Sequence, residues 1–135
     1  MDNCKLAKTT TDPKVLDELS RNKIWQIRWN VAGNPNTSPE TLNYLSKDED
    51  YGVRQGVALN PNTTLETIDY LSKDKCYGLR YWVAQNPNTA PETLKQMSID
   101  EDHLYVKLAI KANPNCSKET WKYLSALEII ETLQS

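Results

Sequence analysis

The chain has 135 residues, of which 39% are hydrophobic and 25% charged, with four glycines and a net charge of −2. This composition argues against wholesale disorder, and the sequence contains no run of about 18 apolar residues that could span a membrane. The amino-terminal segment Met1–Lys5 contains charged residues and no apolar run, so we expect no secretory signal and a cytoplasmic protein.

A four-residue motif recurs along the chain at a nearly constant interval. It reads Asn-Pro-Asn-Thr three times and Asn-Pro-Asn-Cys in the last copy, and it begins at Asn34, Asn60, Asn86 and Asn113. The starts are therefore 26, 26 and 27 residues apart. Self-similarity at such a period is typical of repeat proteins, in which each copy is one supersecondary unit.

The motif also sets the domain boundaries. We predict a ten-residue lead-in at 1–10, and the extra residue of the fourth copy falls between Met97 and Lys107. The repeats occupy 11–36, 37–62, 63–88 and 89–115, with a half copy at 116–127. The last segment, 128–135, leaves the pattern and is predicted to cap the stack. Its apolar residues would permit a weak end-to-end dimer if their face stayed open, and otherwise we expect a monomer.

Each copy contains two predicted helices. The first is expected to begin with a capping box, Thr37 with Glu40, and to carry an apolar stripe such as Leu42 with Leu45. The same capping pair recurs as Thr63 with Glu66 and Thr89 with Glu92.

The second helix is expected to follow an acidic residue such as Asp48 and to bury a Val/Ala stripe. It should end at Asn-Pro, with Asn in the left-handed conformation. Trp25, Tyr51 and Tyr77 share one repeat position at its start, and we assign them to the core. Because helices of about ten residues are not stable alone, successive pairs must stack. The prediction is an all-α solenoid of about 4.5 helix pairs without β-sheet.

The second helix and its closing motif carry a family resemblance. Val53-Arg54-Gln55-Gly56-Val57-Ala58-Leu59-Asn60-Pro61-Asn62-Thr63 resembles the leucine-rich repeat variant family, and Leu79–Pro87 repeats the pattern. The resemblance implies a right-handed superhelix related to HEAT and armadillo proteins, with some 3-10 turns, and a role as an interaction scaffold. That family's iron–sulfur cluster is not expected here, because residues 1–10 contain only Cys4.

Basic residues recur at one position of the second helix: Arg28, Arg54, Arg80 and Lys107. An acidic or polar series accompanies them at Asn22, Asp48, Asp74 and Asp100. We favour a structural reading, in which the two series join neighbouring repeats by charge-assisted hydrogen bonds. The alternative is a phosphate track for nucleic acid, although a pI near 5.4 is acidic for such a protein.

Positions that vary between copies are the candidates for partner binding, since the framework of a repeat protein recurs while its binding surface need not. They are Trp29, Gln55, Tyr81 and Leu108 at one position and Asn30, Gly56, Trp82 and Ala109 at the next. Trp, Tyr and Arg often anchor interfaces, so we assign partner binding to Trp29, Gln55, Tyr81, Trp82 and Leu108. The alternative is that these rings fill gaps between repeats, because the chain has no phenylalanine.

No catalytic, cofactor or metal site is predicted. Cys4, Cys76 and Cys116 are odd in number, form no CxxC pair and are expected to be free thiols, and His103 is the only histidine. The sequence therefore predicts a non-enzymatic scaffold for an unidentified protein or peptide. The alternatives are a nucleic-acid-binding solenoid and, third, a redox or metal sensor.

Overall fold

The computed structural model describes residues 2–135, which form α-helices and no strand. The all-α prediction is confirmed. The helices are α1 Asn3–Thr9, α2 Pro13–Leu19, α3 Trp25–Gly33, α4 Pro39–Leu45, α5 Tyr51–Leu59, α6 Leu65–Leu71, α7 Tyr77–Gln85, α8 Pro91–Asp100, α9 Leu104–Ala112 and α10 Lys118–Gln134. Within residues 2–135, no helix is both long and apolar enough to cross a lipid bilayer.

The chain divides into two compact units. Unit 1 comprises residues 1–71 and contains α1 to α6, whereas unit 2 comprises residues 72–135 and contains α7 to α10. In unit 1 the second helices of successive copies pack on one another, α1 on α3 and α3 on α5. The lead-in thus contains a helix, α1, that packs on α3 as the second helix of a preceding copy would. In unit 2, α7 packs on α9, and α10 contacts both α8 and α9.

The core of each unit is made by the stripes that the periodicity predicts. Buried leucines of the first helices meet buried valines and alanines of the second helices, and each large aliphatic side chain removed from water contributes roughly 1.5–3 kcal/mol. The fully buried large side chains of unit 1 are Leu16, Val31, Leu42, Leu45, Val53, Val57, Ile68 and Leu71. Those of unit 2 are Leu79, Val83, Leu94 and Ile110.

The predicted capping box is wrong by one residue. Ser38 caps α4, accepting a hydrogen bond from the Thr41 N–H at 3.2 Å. Thr37 instead donates its buried hydroxyl to the Val31 carbonyl at 2.6 Å. The threonine therefore satisfies an acceptor in the last turn of the preceding helix, where carbonyls lack intrahelical donors, and leaves capping to its neighbour.

The Asn-Pro turn also differs from the prediction. Asn60 is extended, with φ −78° and ψ 127°, because the following proline disfavours helical and left-handed alternatives. Its buried Nδ2 donates to the Ala32 carbonyl at 2.7 Å and the Asn34 carbonyl at 3.0 Å, one repeat earlier. Asn113 bridges to Ala84 and Asn86 in the same way. The asparagine side chain thus links two successive repeats by hydrogen bonds.

The fourth copy accommodates its extra residue by extending its first helix. α8 has ten residues, whereas α4 has seven. The half copy and the predicted cap are one continuous helix, α10, of 17 residues. Ile129, Ile130 and Leu133 remain exposed on it.

Candidate functional site

The basic series lies close to acidic side chains. Arg28 forms a two-bond contact with Asp48, with Nε at 2.7 Å and Nη2 at 3.1 Å from the carboxylate oxygens. Its Nη1 also donates to the Asn22 carbonyl at 2.8 Å. The Asp48 hydrogen bond raises the pKa of Arg28 against the opposing effect of burial. The guanidinium thus joins two successive repeats of unit 1.

In unit 2 the same contact uses a different acid from the predicted Asp100. Arg80 Nε lies 2.7 Å from a Glu101 oxygen and its Nη2 lies 3.1 Å from the other. The Glu101 side chain is 2% exposed, whereas Asp100 is at the solvent-exposed end of α8. The extra residue in this copy shifts the acidic position by one, so the Asp100 assignment is wrong.

The remaining members of the basic series also have partners. Arg54 is buried, and its Nη1 donates to the carbonyls of Asp48 and Glu49. Lys107 Nζ lies 3.2 Å from Glu131. Cations held by carboxylates and carbonyls in this way are poorly placed to follow a phosphate backbone, which binds through uncompensated charge.

The aromatic residues that begin the second helices are exposed, so their assignment to the core is wrong. Trp25 is 45%, Tyr51 37% and Tyr77 51% exposed. Each is the first residue of its helix, and the buried stripe begins only two residues later, at Ile27, for example. Their shared repeat position and apolar character predicted burial. In the structure the first residue of each helix precedes the buried stripe, so its side chain stays exposed.

Two predicted binding residues of unit 1, Trp29 and Gln55, line one groove. It has a volume of about 410 Å³. Trp29 is 45% exposed, and the ring lies close to Gly52, where an added Cβ would be 3.7 Å from Trp29 Cδ1. The full lining is Lys8, Trp29, Asn30, Gly33, Asn34, Pro35, Gln55, Gly56, Leu59, Asn60 and Pro61.

Two glycines shape this groove. At Gly33, the last residue of α3, an added Cβ would meet nothing within 4 Å, so the missing side chain leaves open space. At Gly56 an added Cβ would lie 2.8 Å from the Ala32 Cβ, so the glycine lets α5 approach α3 closely. Sequence reasoning noted Gly56 as variable but missed Gly33 and Lys8. Glycine at the last helical position was the available signal.

The predicted binding residues of unit 2 are an aromatic pair and a leucine. Tyr81 and Trp82 meet edge to face with ring centroids 5.8 Å apart, and Gln85 Nε2 donates to the Tyr81 hydroxyl at 2.8 Å. Leu108 is 43% exposed on α9. None of these three predicted residues lines the groove of unit 1.

The sensor hypothesis depends on three thiols and one histidine. Cys4, Cys76 and Cys116 are unpaired thiols of intermediate burial, and burial raises the pKa of Cys116, which disfavours its thiolate. His103 stacks on Tyr77 with centroids 3.8 Å apart. Residues 2–135 contain no group of three or more His, Cys, Asp or Glu arranged to hold a metal ion.

No protein-family model, curated protein or solved structure matches this chain. The resemblance to the leucine-rich repeat variant family therefore depends on the residues alone and stays a prediction.

Proposed function

We propose that the chain is a non-enzymatic protein–protein interaction scaffold that binds a peptide segment in the groove of unit 1. The supporting observation is the half-exposed Trp29 on the wall of an open groove of about 410 Å³. Apolar pockets of roughly 300–1,000 Å³ with a few polar groups are the usual form of a ligand site. Tryptophan is also one of the side chains enriched among the residues that anchor protein interfaces.

The proposal includes the family and the location expected from the sequence. We place the chain among the leucine-rich repeat variant solenoids, as a cytoplasmic protein whose helix pairs continue in a right-handed superhelix. Stacked helix pairs within each unit and the three unpaired cysteines support this assignment. The nucleic-acid alternative has less support, since Arg28 and Arg80 are paired with carboxylates.

Peptides selected on the chain from a random-peptide display library test the proposal. Binding of the enriched peptides is measured by fluorescence anisotropy for the wild type, Trp29→Ala and Trp121→Ala. Trp121 is a matched control, because it is 49% exposed and lies in unit 2 outside the groove. We expect Trp29→Ala to weaken binding about 30-fold, as loss of an anchor residue does, and Trp121→Ala to leave it unchanged.

Equal binding by Trp29→Ala and the wild type would refute the groove as the site. Retention of an oligonucleotide with a steep dependence on salt, lost on Arg28→Gln, would instead support the nucleic-acid alternative.

A further inference from the structure

The groove of unit 1 contains one charged residue, Lys8, in the last turn of α1. Its ammonium forms no ion pair within residues 2–135, and no acidic residue lines the groove. Lys111, by contrast, is paired with Glu128 at 3.1 Å. The groove therefore presents a single uncompensated positive charge to whatever occupies it.

The other lining groups add two kinds of contact. Trp29 and Leu59 are 45% and 53% exposed and present apolar surface. The Gln55 amide makes no hydrogen bond within residues 2–135, so both its donor and its acceptor are available. A ligand complementary to this wall carries a carboxylate, an apolar side chain and a peptide group.

The helix ends at the groove decide which kind of carboxylate fits. Lys8, Gly33 and Leu59 lie at the carboxyl ends of α1, α3 and α5, where helices leave carbonyls without intrahelical donors. A chain-terminal carboxylate is held by clusters of backbone N–H groups, which helix carboxyl ends do not offer. The carbonyls at these ends already accept from side chains of the chain itself, as Ala7 does from Asn34 Nδ2 and Ala32 does from Asn60 Nδ2, so the carboxylate that fits beside Lys8 is that of an internal side chain.

We propose that the groove of unit 1 binds an extended peptide segment with an internal aspartate or glutamate, whose carboxylate pairs with Lys8 while a neighbouring apolar side chain packs on Trp29. This inference depends on the proposed function and specifies the chemistry of its partner. The pairing supplies specificity, because an opposite charge at Lys8 would repel the same peptide.

Charge reversal tests the pairing. Random peptides, acetylated and amidated so that their termini are neutral, are selected on the wild type, and binding is then measured for Lys8→Glu and Lys5→Glu. Lys5→Glu is the matched control, since Lys5 is an exposed lysine of the same helix that does not line the groove. We expect an acidic position in the enriched peptides, about tenfold weaker binding by Lys8→Glu, and little change with Lys5→Glu.

The acidic position also allows the complementary exchange. Replacing its carboxylate by lysine should weaken binding to the wild type and restore binding to Lys8→Glu. Peptides that need Trp29 but show no acidic preference, or that bind Lys8→Glu as well as the wild type, would overturn this inference while the proposed function stands. If no enriched peptide depends on Trp29, both fail.

Discussion

The two units differ at two adjacent positions of the repeat, and the difference decides what each surface presents. Unit 1 has Gly56 where unit 2 has Trp82, 26 residues later, and Gln55 precedes the first as Tyr81 precedes the second. Gly56 lines an open groove, whereas the Trp82 ring occupies space beside Tyr81. Val57 and Ala58 are buried in unit 1, as Val83 and Ala84 are in unit 2. A repeat framework can thus present a cavity in one copy and a pair of aromatic rings in another through two adjacent side chains.

The ion pairs of the units provide a second contrast. Unit 1 uses an aspartate, Asp48, and unit 2 uses a glutamate, Glu101, although each acid precedes the second helix of its copy by three residues. Glu101→Gln should destabilise the chain by about 3 kcal/mol, since it leaves the Arg80 guanidinium without its buried counter-charge. Hydrogen exchange followed by mass spectrometry should show the loss of protection in unit 2. Asp100→Asn, at the exposed neighbour, is the control and should change little.

Lowering the pH should reproduce part of the destabilisation expected for Glu101→Gln. Burial raises the pKa of Glu101, but hydrogen bonds from Arg80 and the His103 N–H outweigh it, so the net pKa lies below the ordinary value of 4.5. A carboxylate with a lowered pKa stabilises the fold above its unfolded pKa, and the contribution disappears as pH falls through the folded pKa. The unfolding free energy of the wild type should therefore decline below about pH 4.5 more steeply than that of Glu101→Gln. Parallel pH profiles would contradict the assignment.

Gly56→Ala tests whether the glycine of unit 1 is required for packing. An alanine normally stabilises a helix by up to about 1 kcal/mol relative to glycine. Here its Cβ would lie 2.8 Å from the Ala32 Cβ, which cannot rotate away, so α3 and α5 must separate. We expect a net loss of about 2 kcal/mol in urea unfolding, within the usual cost of overpacking. A stabilised variant would show that the close approach of the two helices is not needed.

The sequence predicted the framework well because the framework repeats. The period, the helix pairs and the buried stripes each recur several times, so chance agreement is excluded. The errors concern single contacts. Thr37 has the residue type of an N-cap, yet its hydroxyl serves the preceding helix, and only the turn geometry decides between the two partners.

The candidate site was predicted in part. Trp29 and Gln55 line the groove, and variation between copies was enough to identify them. Lys8 was missed because the sequence of the lead-in does not show the pattern of a second helix. Residues 1–10 were therefore not aligned with the other copies. Gly33 was missed for a different reason, since the consequence of an absent side chain depends on the space around it, and sequence does not contain that information.

Gly33→Ala is the matched substitution to Gly56→Ala, with the opposite expected sign. Both glycines lie in second helices of unit 1 and line the same groove, but an added Cβ at Gly33 meets nothing within 4 Å. The helical preference of alanine then acts alone, and because Gly33 is the last residue of α3 we expect a gain of about 0.5 kcal/mol in urea unfolding. A gain at Gly56 comparable to that at Gly33 would mean that helix preference, not the space beside each glycine, controls the response. A loss at Gly33 comparable to that at Gly56 would mean that the space beside Gly33 does not accept a side chain, and in either case the contrast between an open and a closed position in this groove would not hold.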